Sequence, residues 1–398
     1  MVAAGSPGAR RWVVLTLGIA AQTAASAFIY GIPMLVPALR RSEHLSLAAA
    51  GELVAAPTVG VLLTLIAWGA LADRRGERLV MVAGLAGAAG CLAASATVAG
   101  IVPRAVLLGA AGAFGASVNA ASGRLVLGWF PPERRGAAMG ARQTAQPLGV
   151  AVAALVLPPV AASAGVGTAL VVLAALCAVV AVAVAAGAAD PPRTLQRDAG
   201  VEPSPYRGPA LWRLHAASAL LVVPQFAVSA FSLEYLVGAR HWSATAAGRL
   251  LFAFQLAGAA GRLATGWWSD RVGSRLAPMR RVAVAAAVVM GLAALGAATG
   301  SALAVVALGA AAVITVADNG LAFTSVAELA GPAWAGRALG AQNTGQNIVA
   351  SLTPPALGAL VAAAGYGAGF AACAVPPLVA VAVTPVAAEI ARRALPVR

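Results

Sequence analysis

The sequence predicts an all-α membrane protein of twelve transmembrane helices arranged as two six-helix halves, and three observations carry that expectation. Of the 398 residues, 61% are hydrophobic and only 10% charged, far from the usage of a soluble chain. The apolar runs lack strand alternation and reach about 20 residues, the length of helix that crosses a hydrocarbon core about 30 Å thick. The second half of the chain also repeats the first.

Reading between the charged and Pro/Gly breaks places spans that start near Trp12, Leu47, Leu79, Ala105, Gly136, Val166, Leu211, Thr245, Val282, Ala302, Arg337 and Gly367. Helices are the expected form, because inside a bilayer every backbone polar group must be satisfied within the element. The longest break, Asp190 to Pro209, carries five prolines and most of the mid-chain charge. It reads as a cytoplasmic linker, 190–210, joining a half at 1–189 to a half at 211–398. The first span has Arg10 and Arg11 before it and Ala25-Ser26-Ala27 within it, the outline of a cleavable secretory signal. Its apolar run continues to Val36, too long for a signal core.

The formal charge of +14 suggests a nucleic-acid binder, but all 27 basic residues are Arg and they punctuate apolar runs instead of forming a patch. Sidedness explains them better. If connections on the inner side carry the excess, nineteen Arg lie inside and four outside (Arg40, Arg41, Arg104 and Arg240). The other four, Arg124, Arg142, Arg249 and Arg262, fall within spans. Both termini are then cytoplasmic, in an inner or plasma membrane. The partners expected are the lipid bilayer, a small-molecule substrate and protons, with no nucleic acid, and the functional unit expected is a monomer. Cys91, Cys177 and Cys373 each stand alone in an apolar stretch, which reads as packing, with neither a disulfide framework nor a metal pair. No cofactor and no metal are expected.

Self-similarity is clear at polar positions. Gln22 to Phe28 matches Gln225 to Phe231 at five of seven residues, and Ser46 to Leu53 matches Ser243 to Leu250 at five of eight. Gly136 to Gln146 matches Gly336 to Gln346 at six of eleven, with Asn119 opposite Asn319 at the same offset. Repeated halves are a common construction for transporters.

The loop after the second span reads Gly69-Ala-Leu-Ala-Asp73-Arg74-Arg75-Gly76-Glu77-Arg78, and the loop after the eighth reads Gly266-Trp-Trp-Ser-Asp270-Arg271-Val-Gly273-Ser-Arg275. Both fit G-x-x-x-D-R-x-G-x-R. A glycine there allows close helix contact, and a carboxylate at the membrane edge can meet the positive end of a helix. This duplicated loop resembles the signature loop of the major facilitator superfamily, and the resemblance covers the whole chain. It implies the superfamily's twelve-helix fold and a gating role for the loop residues, locking the cytoplasmic side in the outward-open state. Carried over, Asp73 faces the start of the eleventh helix near Arg337, and Asp270 the start of the fifth near Gly136. The stretch Asn119 to Gly149 also resembles the superfamily. It departs at Gln146-Pro147-Leu148-Gly149, where drug and proton antiporters usually carry Gly-Pro-x-x-Gly-Gly, and this weighs against drug export.

Polar side chains at membrane depth are expensive and usually face a partner or a watery cavity. Near mid-span lie Gln22, Asn119, Gln143, Gln146, Gln225, Gln255, Asp318, Asn319, Asn343 and Gln346; toward the inside lie Arg124, Arg142 and Arg262; toward the outside lie Glu52, Glu234 and Arg249. None comes from the third, sixth, ninth or twelfth span, the set that the resemblance implies to be the outer supporting helices. Gln143, Gln146 and Pro147 share one helical face, and Asn343, Gln346 and Asn347 repeat it. Each amide is either a substrate contact or glue between helices.

A guanidinium suits a carboxylate because two parallel hydrogen bonds satisfy both oxygens. An Arg in the eighth helix, here Arg262, resembles the carboxylate-transporting branches of the superfamily. The alternative for Arg124 and Arg262 is structural, a pairing with Glu133, Glu328 or a helix C-terminus. Proton coupling needs a buried carboxyl, and the candidates are Asp318, Glu234 and Glu52; the alternative is permanent neutralisation of an Arg. His44, His215 and His241 sit at span ends or in loops, which argues against a buried histidine relay.

The function expected is therefore secondary active transport of a small solute by alternating access, coupled most simply to protons, with a small organic anion or carboxylate as the favoured substrate. Efflux of hydrophobic or cationic compounds is the alternative, leaning on Glu52, Glu234 and Asp318, and uncoupled uniport is a further one. ATP-driven pumping is excluded for this polypeptide, because a phosphate-binding G-x-x-x-x-G-K-[ST] loop needs a Lys and the chain has none. An intramembrane enzyme is not expected either, since no H-E-x-x-H or paired Ser/Lys constellation occurs at membrane depth.

Overall fold

A computed structural model describes residues 7–130, 138, 141–142, 144–190, 204–331 and 334–393, and among these the chain is helical with no strand. The helices are α1 (Pro7–Ile29), α2 (Val36–Glu43), α3 (Leu47–Arg75), α4 (Glu77–Thr97), α5 (Ile101–Trp129), α6 (Ala145–Gly187), α7 (Pro209–Glu234), α8 (Ala244–Val272), α9 (Leu276–Thr299), α10 (Leu303–Ile314), α11 (Asn319–Ala330), α12 (Ala335–Val383) and α13 (Val386–Arg393). Short 3-10 turns occupy Ile32–Leu35 and Pro205–Arg207. The predicted start of the fifth span at Gly136 and most of the predicted linker lie outside the described residues.

Two helices hold two predicted spans each. α6, 43 residues long, is interrupted at Gly165 with φ 84°, and α12, 49 residues long, at Gly365 with φ 81°. Both glycines sit in the left-handed region, which a Cβ would penalise. The chain folds back after Gly365, so that Gly369 packs toward Val361 and Leu357. The predicted sixth and twelfth spans begin beside these two turns.

The tenth span, expected to be continuous from Ala302, is instead two helices, α10 and α11, separated by a turn over residues 315–318. The Thr315 hydroxyl bonds back to the Ala311 carbonyl at 2.7 Å, and Asp318 and Asn319 are short polar residues of the kind that compete with helical backbone bonding. Such breaks survive at membrane depth where the backbone is buried in protein or lines a cavity.

Nine segments of the described residues are long and apolar enough to cross a membrane. Two of them, Ala145–Gly187 and Arg337–Glu389, contain the glycine turns and cross twice. α8, too polar to stand among the nine, is a further 29-residue helix, which brings the crossings among the described residues to twelve. Exposed Leu63, Ile66, Val102, Val182 and Val306 turn outward, as lipid-facing residues do. Lipid offers helices no hydrophobic reason to associate, so small residues make the contacts. In the packing of α3 on α5, Gly112 comes so close to the backbone of Pro57, and Gly60 to that of Gly109, that a Cβ on either glycine would have no room.

The chain divides into two compact units. One comprises Met1–Thr194 with Val237–Ala253, the other Leu195–Leu236 with Phe254–Arg398. In the first unit α3 packs on α5, α1 on α6, and α4 on both α5 and α6. In the second, α12 packs on α7 and α9, and α9 on α10. Its core holds Leu211, Leu214, Leu221, Leu276, Met279, Leu321 and Val326.

The sequence repeat reappears in the backbone. Ser46 caps α3 by accepting from the Ala49 amide at 3.1 Å, and Ser243 accepts from the Ala246 amide at 3.2 Å. His44 and His241, two residues before each cap, are the non-glycine residues with positive φ among the described residues, at 52° and 57°.

Candidate functional site

In the first unit a polar cluster forms where α1, α5 and the short segment before α6 approach one another. Gln22, buried on α1, donates through Nε2 to Asn119 Oδ1 of α5 at 2.7 Å. Its Oε1 accepts from Ser122 Oγ at 3.2 Å and from Arg142 Nη1 at 3.5 Å, and Arg142 Nη1 also donates to Ser122 Oγ at 3.2 Å. One amide thus meets an amide, a hydroxyl and a guanidinium. Ser122 is not among the predicted site residues, although it follows Asn119 by three on the same face of α5. Gln146, half-buried, is the second residue of α6. Gln143 and the Arg124 side chain lie outside what the structure describes. Glu52 is exposed on α3.

The second unit carries the repeated pair. Asn319, the first residue of α11, donates through Nδ2 to Gln225 Oε1 of α7 at 3.2 Å. Beside it in sequence Asp318 is 1% exposed in the α10–α11 break, and the charge of Arg262 on α8 acts on it. Glu234, also buried, ends α7 where the chain passes into one π-helical turn, Tyr235–Ala239. Single π turns recur at functional sites. Gln255 is half-buried on α8, and the Asn343 carbonyl accepts from Asn347 on α12 at 2.9 Å.

Gln346 enters a longer network. Its Nε2 donates to Ser218 Oγ of α7 at 2.7 Å, and Gln342 Nε2 donates to the same hydroxyl. Gln342 Oε1 lies 2.6 Å from His215 Nδ1, and His215 Nε2 lies 3.1 Å from the Tyr206 hydroxyl. An amide oxygen only accepts, so His215 carries its proton on Nδ1. Burial raises the Tyr206 phenol above its ordinary value, which keeps it protonated and able to donate. His215 therefore does not stand apart at a span end, as its position in the sequence suggests: it lies inside α7, half-buried and bonded on both ring nitrogens. Two signals in the sequence point to this network. Gln342 occupies the repeat position of Arg142, and Ser218 lies two helical turns before Gln225.

The two signature loops are built alike. α3 ends at Arg75 and α4 begins at Glu77, so Gly76, with φ 91°, is the whole connection. A Cβ there would fall 2.9 Å from the Asp190 carboxyl carbon. Asp190 Oδ1 accepts from the Arg78 backbone amide at 2.7 Å, while the Arg78 side chain donates to the Ala185 carbonyl. After α8, Gly273 has φ 65°, and Glu389 of α13 accepts from the Arg275 amide at 2.6 Å, the Leu276 amide at 3.1 Å and Ser274 Oγ at 2.6 Å. Arg78 and Arg275 are the same position of the repeated motif, and each gives its backbone N–H to a carboxylate that follows the last span of its half. The Arg275 side chain bonds Asp270 and sits 3.6 Å from Glu328. Burial works against its charge, but the hydrogen bond and charge of Asp270, joined by Glu328, outweigh burial and hold the guanidinium above its ordinary value. Arg271 stacks on Trp267 at 3.5 Å. Gly69 and Gly266 have open space at their Cβ positions. Arg74 is exposed at the last turn of α3, which also carries Asp73. Among the described residues no three His, Cys, Asp or Glu side chains gather closely enough to hold a metal ion.

Comparison with known proteins decides the family. Residues 15–354 match the family model described as Major Facilitator Superfamily. The chain belongs to the major facilitator superfamily. It is 44% identical over 379 residues to an uncharacterized MFS-type transporter of Mycobacterium tuberculosis strain H37Rv, covering 94% of this chain and 85% of that one. The counterpart in strain CDC 1551 is equally similar. Among solved structures, a bacterial homolog to the human lysosomal transporter Spinster, in an inward-facing and occupied conformation, superposes with a TM-score of 0.79 at 16% identity over 97% of both chains. The peptide transporter POT in complex with sulfate gives 0.76 at 14% identity over 95% of both. This superfamily member is thus a multi-pass integral membrane transporter.

Proposed function

We propose that this transporter carries a small organic anion, with a carboxylate as the recognised group, by alternating access coupled to protons. Arg142 carries the reading. Its guanidinium is oriented by the Gln22 amide and the Ser122 hydroxyl, which fix its direction as preorganised donors should be fixed. Gln22 is held in turn by Asn119, so four side chains act as one unit. Gln225 and Asn319 supply amides in the second half, with Gln143, Gln146, Gln255, Asn343 and Gln346 as further contacts and Arg124 and Arg262 as further cations. Asp318, buried in the broken tenth span and under the charge of Arg262, is the coupling carboxyl, with Glu234 and Glu52 behind it. The protein works as a monomer in the cell membrane with both termini in the cytoplasm, and the 1–189 and 211–398 halves joined by the 190–210 linker are its moving parts. It performs no catalysis.

Efflux of hydrophobic cations is the second reading, favoured by the burial of both Glu234 and Asp318. Competition in proteoliposomes distinguishes the two. Small carboxylates block the flux of a labelled carboxylate while lipophilic cations leave it untouched on the first reading, and the reverse holds on the second.

A further inference from the structure

Away from the polar clusters, the second unit has an open groove of about 320 Å³ where its span ends meet. The starts of α7 and α9, the end of α12 and the helix α13 form it. Two arginines, Arg213 and Arg280, line it beside an apolar wall that includes Val381, Pro385 and Val386.

We infer that this groove binds the headgroup of an anionic phospholipid, with the phosphate between Arg213 and Arg280 and an acyl chain along the apolar wall. Arg213 is held in place before any ligand arrives. Its Nε donates to the Val383 carbonyl at 3.0 Å and its Nη2 to the Ala382 carbonyl at 3.1 Å, the orphan acceptors of a helix C-terminus. Neither bond uses Nη1, which is left for an anion, and neither removes the charge. Arg280 is exposed and makes no hydrogen bond or ion pair among the described residues. Among the described residues no carboxylate lines the groove, and Glu389, next to it in sequence, is engaged on the Ser274, Arg275 and Leu276 donors. The groove is therefore cationic at its two arginines and otherwise largely apolar, and it lies at the span ends beside an exposed Trp212 of the kind that settles at headgroup level. A soluble anion would match the arginines but not the wall.

The fold does not impose this arrangement. By the register that pairs Gln22 with Gln225, the counterpart of Arg213 is Arg10, which lies over the Trp129 ring at 5.8 Å. In the first half the same cation is given to an aromatic face. In the second half two cations line an open groove.

Native mass spectrometry of the purified chain tests this, with phosphatidylglycerol and phosphatidylcholine of identical acyl chains as probes. A basic residue near a membrane surface is worth about 1 kcal/mol toward an anionic lipid, or about fivefold. The wild type should retain phosphatidylglycerol several-fold over phosphatidylcholine, Arg280→Gln should lose about fivefold of that preference, and Arg213→Gln/Arg280→Gln should lose all of it. Arg280 holds nothing among the described residues, so its single variant decides the matter if the double variant does not fold. Equal retention of the two lipids by the wild type, or an undiminished preference in Arg280→Gln, overturns the proposal. So does displacement of the bound lipid by millimolar inorganic phosphate, which would make the site one for free anions.

Discussion

Gln22 Nε2 donates to Asn119 Oδ1 at 2.7 Å, and the residues that repeat them, Gln225 and Asn319, bond to each other with the direction reversed. The same two amides therefore tie the first span of each half to the fourth, although the fourth span is one continuous helix in the first unit and broken in the second.

The first-half pair should matter more for transport, because Gln22 also holds Ser122 and Arg142. Hydrogen bonds between helices in a membrane are worth about 0.6 to 2 kcal/mol, too little to unfold the protein one at a time. Gln22→Ala is expected to lower transport at least about tenfold with normal membrane insertion, and Asn319→Ala to lower it less. Initial rates in proteoliposomes check the order, and the reverse order contradicts it.

Ser218 accepts from both Gln342 and Gln346, so Ser218→Ala should release both amides at once. Ser218→Ala and Gln342→Ala should each weaken transport, and the double variant should be little worse than either, since neighbours that share a partner are not additive. Independent, multiplying losses in a double-mutant cycle would show that the network is not a unit.

Asp318 and Arg262 should separate coupling from binding. Asp318→Asn is expected to abolish the response of transport to an imposed pH gradient while exchange of substrate across the membrane persists. Arg262→Gln should change that response more than it changes substrate preference. Unchanged gradient dependence in Asp318→Asn removes that residue from coupling.

The two carboxylate caps make a prediction about stability. A side-chain cap is worth about 0.5 to 2 kcal/mol. Asp190 accepts one backbone amide, whereas Glu389 accepts two and a hydroxyl, so Glu389→Ala should lower the melting temperature in detergent more than Asp190→Ala. Equal melting temperatures in wild type and both variants would mean that neither cap stabilises its half.

Much of this fold is legible in the sequence, and the residues show why. Span starts such as Leu47 and Val166 follow from apolar run length, and the helical turns at Gly165 and Gly365 fall where the sequence divides the spans. Pairing Gln22 with Gln225 and Asn119 with Asn319 as repeat positions anticipates that they play equivalent parts. The bond between them is not visible there, because a repeat says that two places are alike and not what each place touches. Asp190 and Glu389 escape notice for the same reason: each acts on a backbone amide more than 110 residues away. The break before Asn319 is hidden because Thr315, Asp318 and Asn319 are each compatible with a helix, and only together do they offer the backbone an alternative. His215 looks peripheral from its nearness to a span end, yet one further helical turn brings it to Gln342.

The most direct test is carboxylate flux driven by an imposed pH gradient in proteoliposomes, comparing wild type with Arg142→Gln and Arg142→Lys. The wild type should accumulate a small carboxylate when the gradient is applied. Arg142→Gln should lose that accumulation, and Arg142→Lys should recover only a small part of it, because a point charge cannot replace the planar fork. Gradient-driven carboxylate flux in Arg142→Gln equal to that of the wild type would contradict the assignment of an anion carrier built around Arg142.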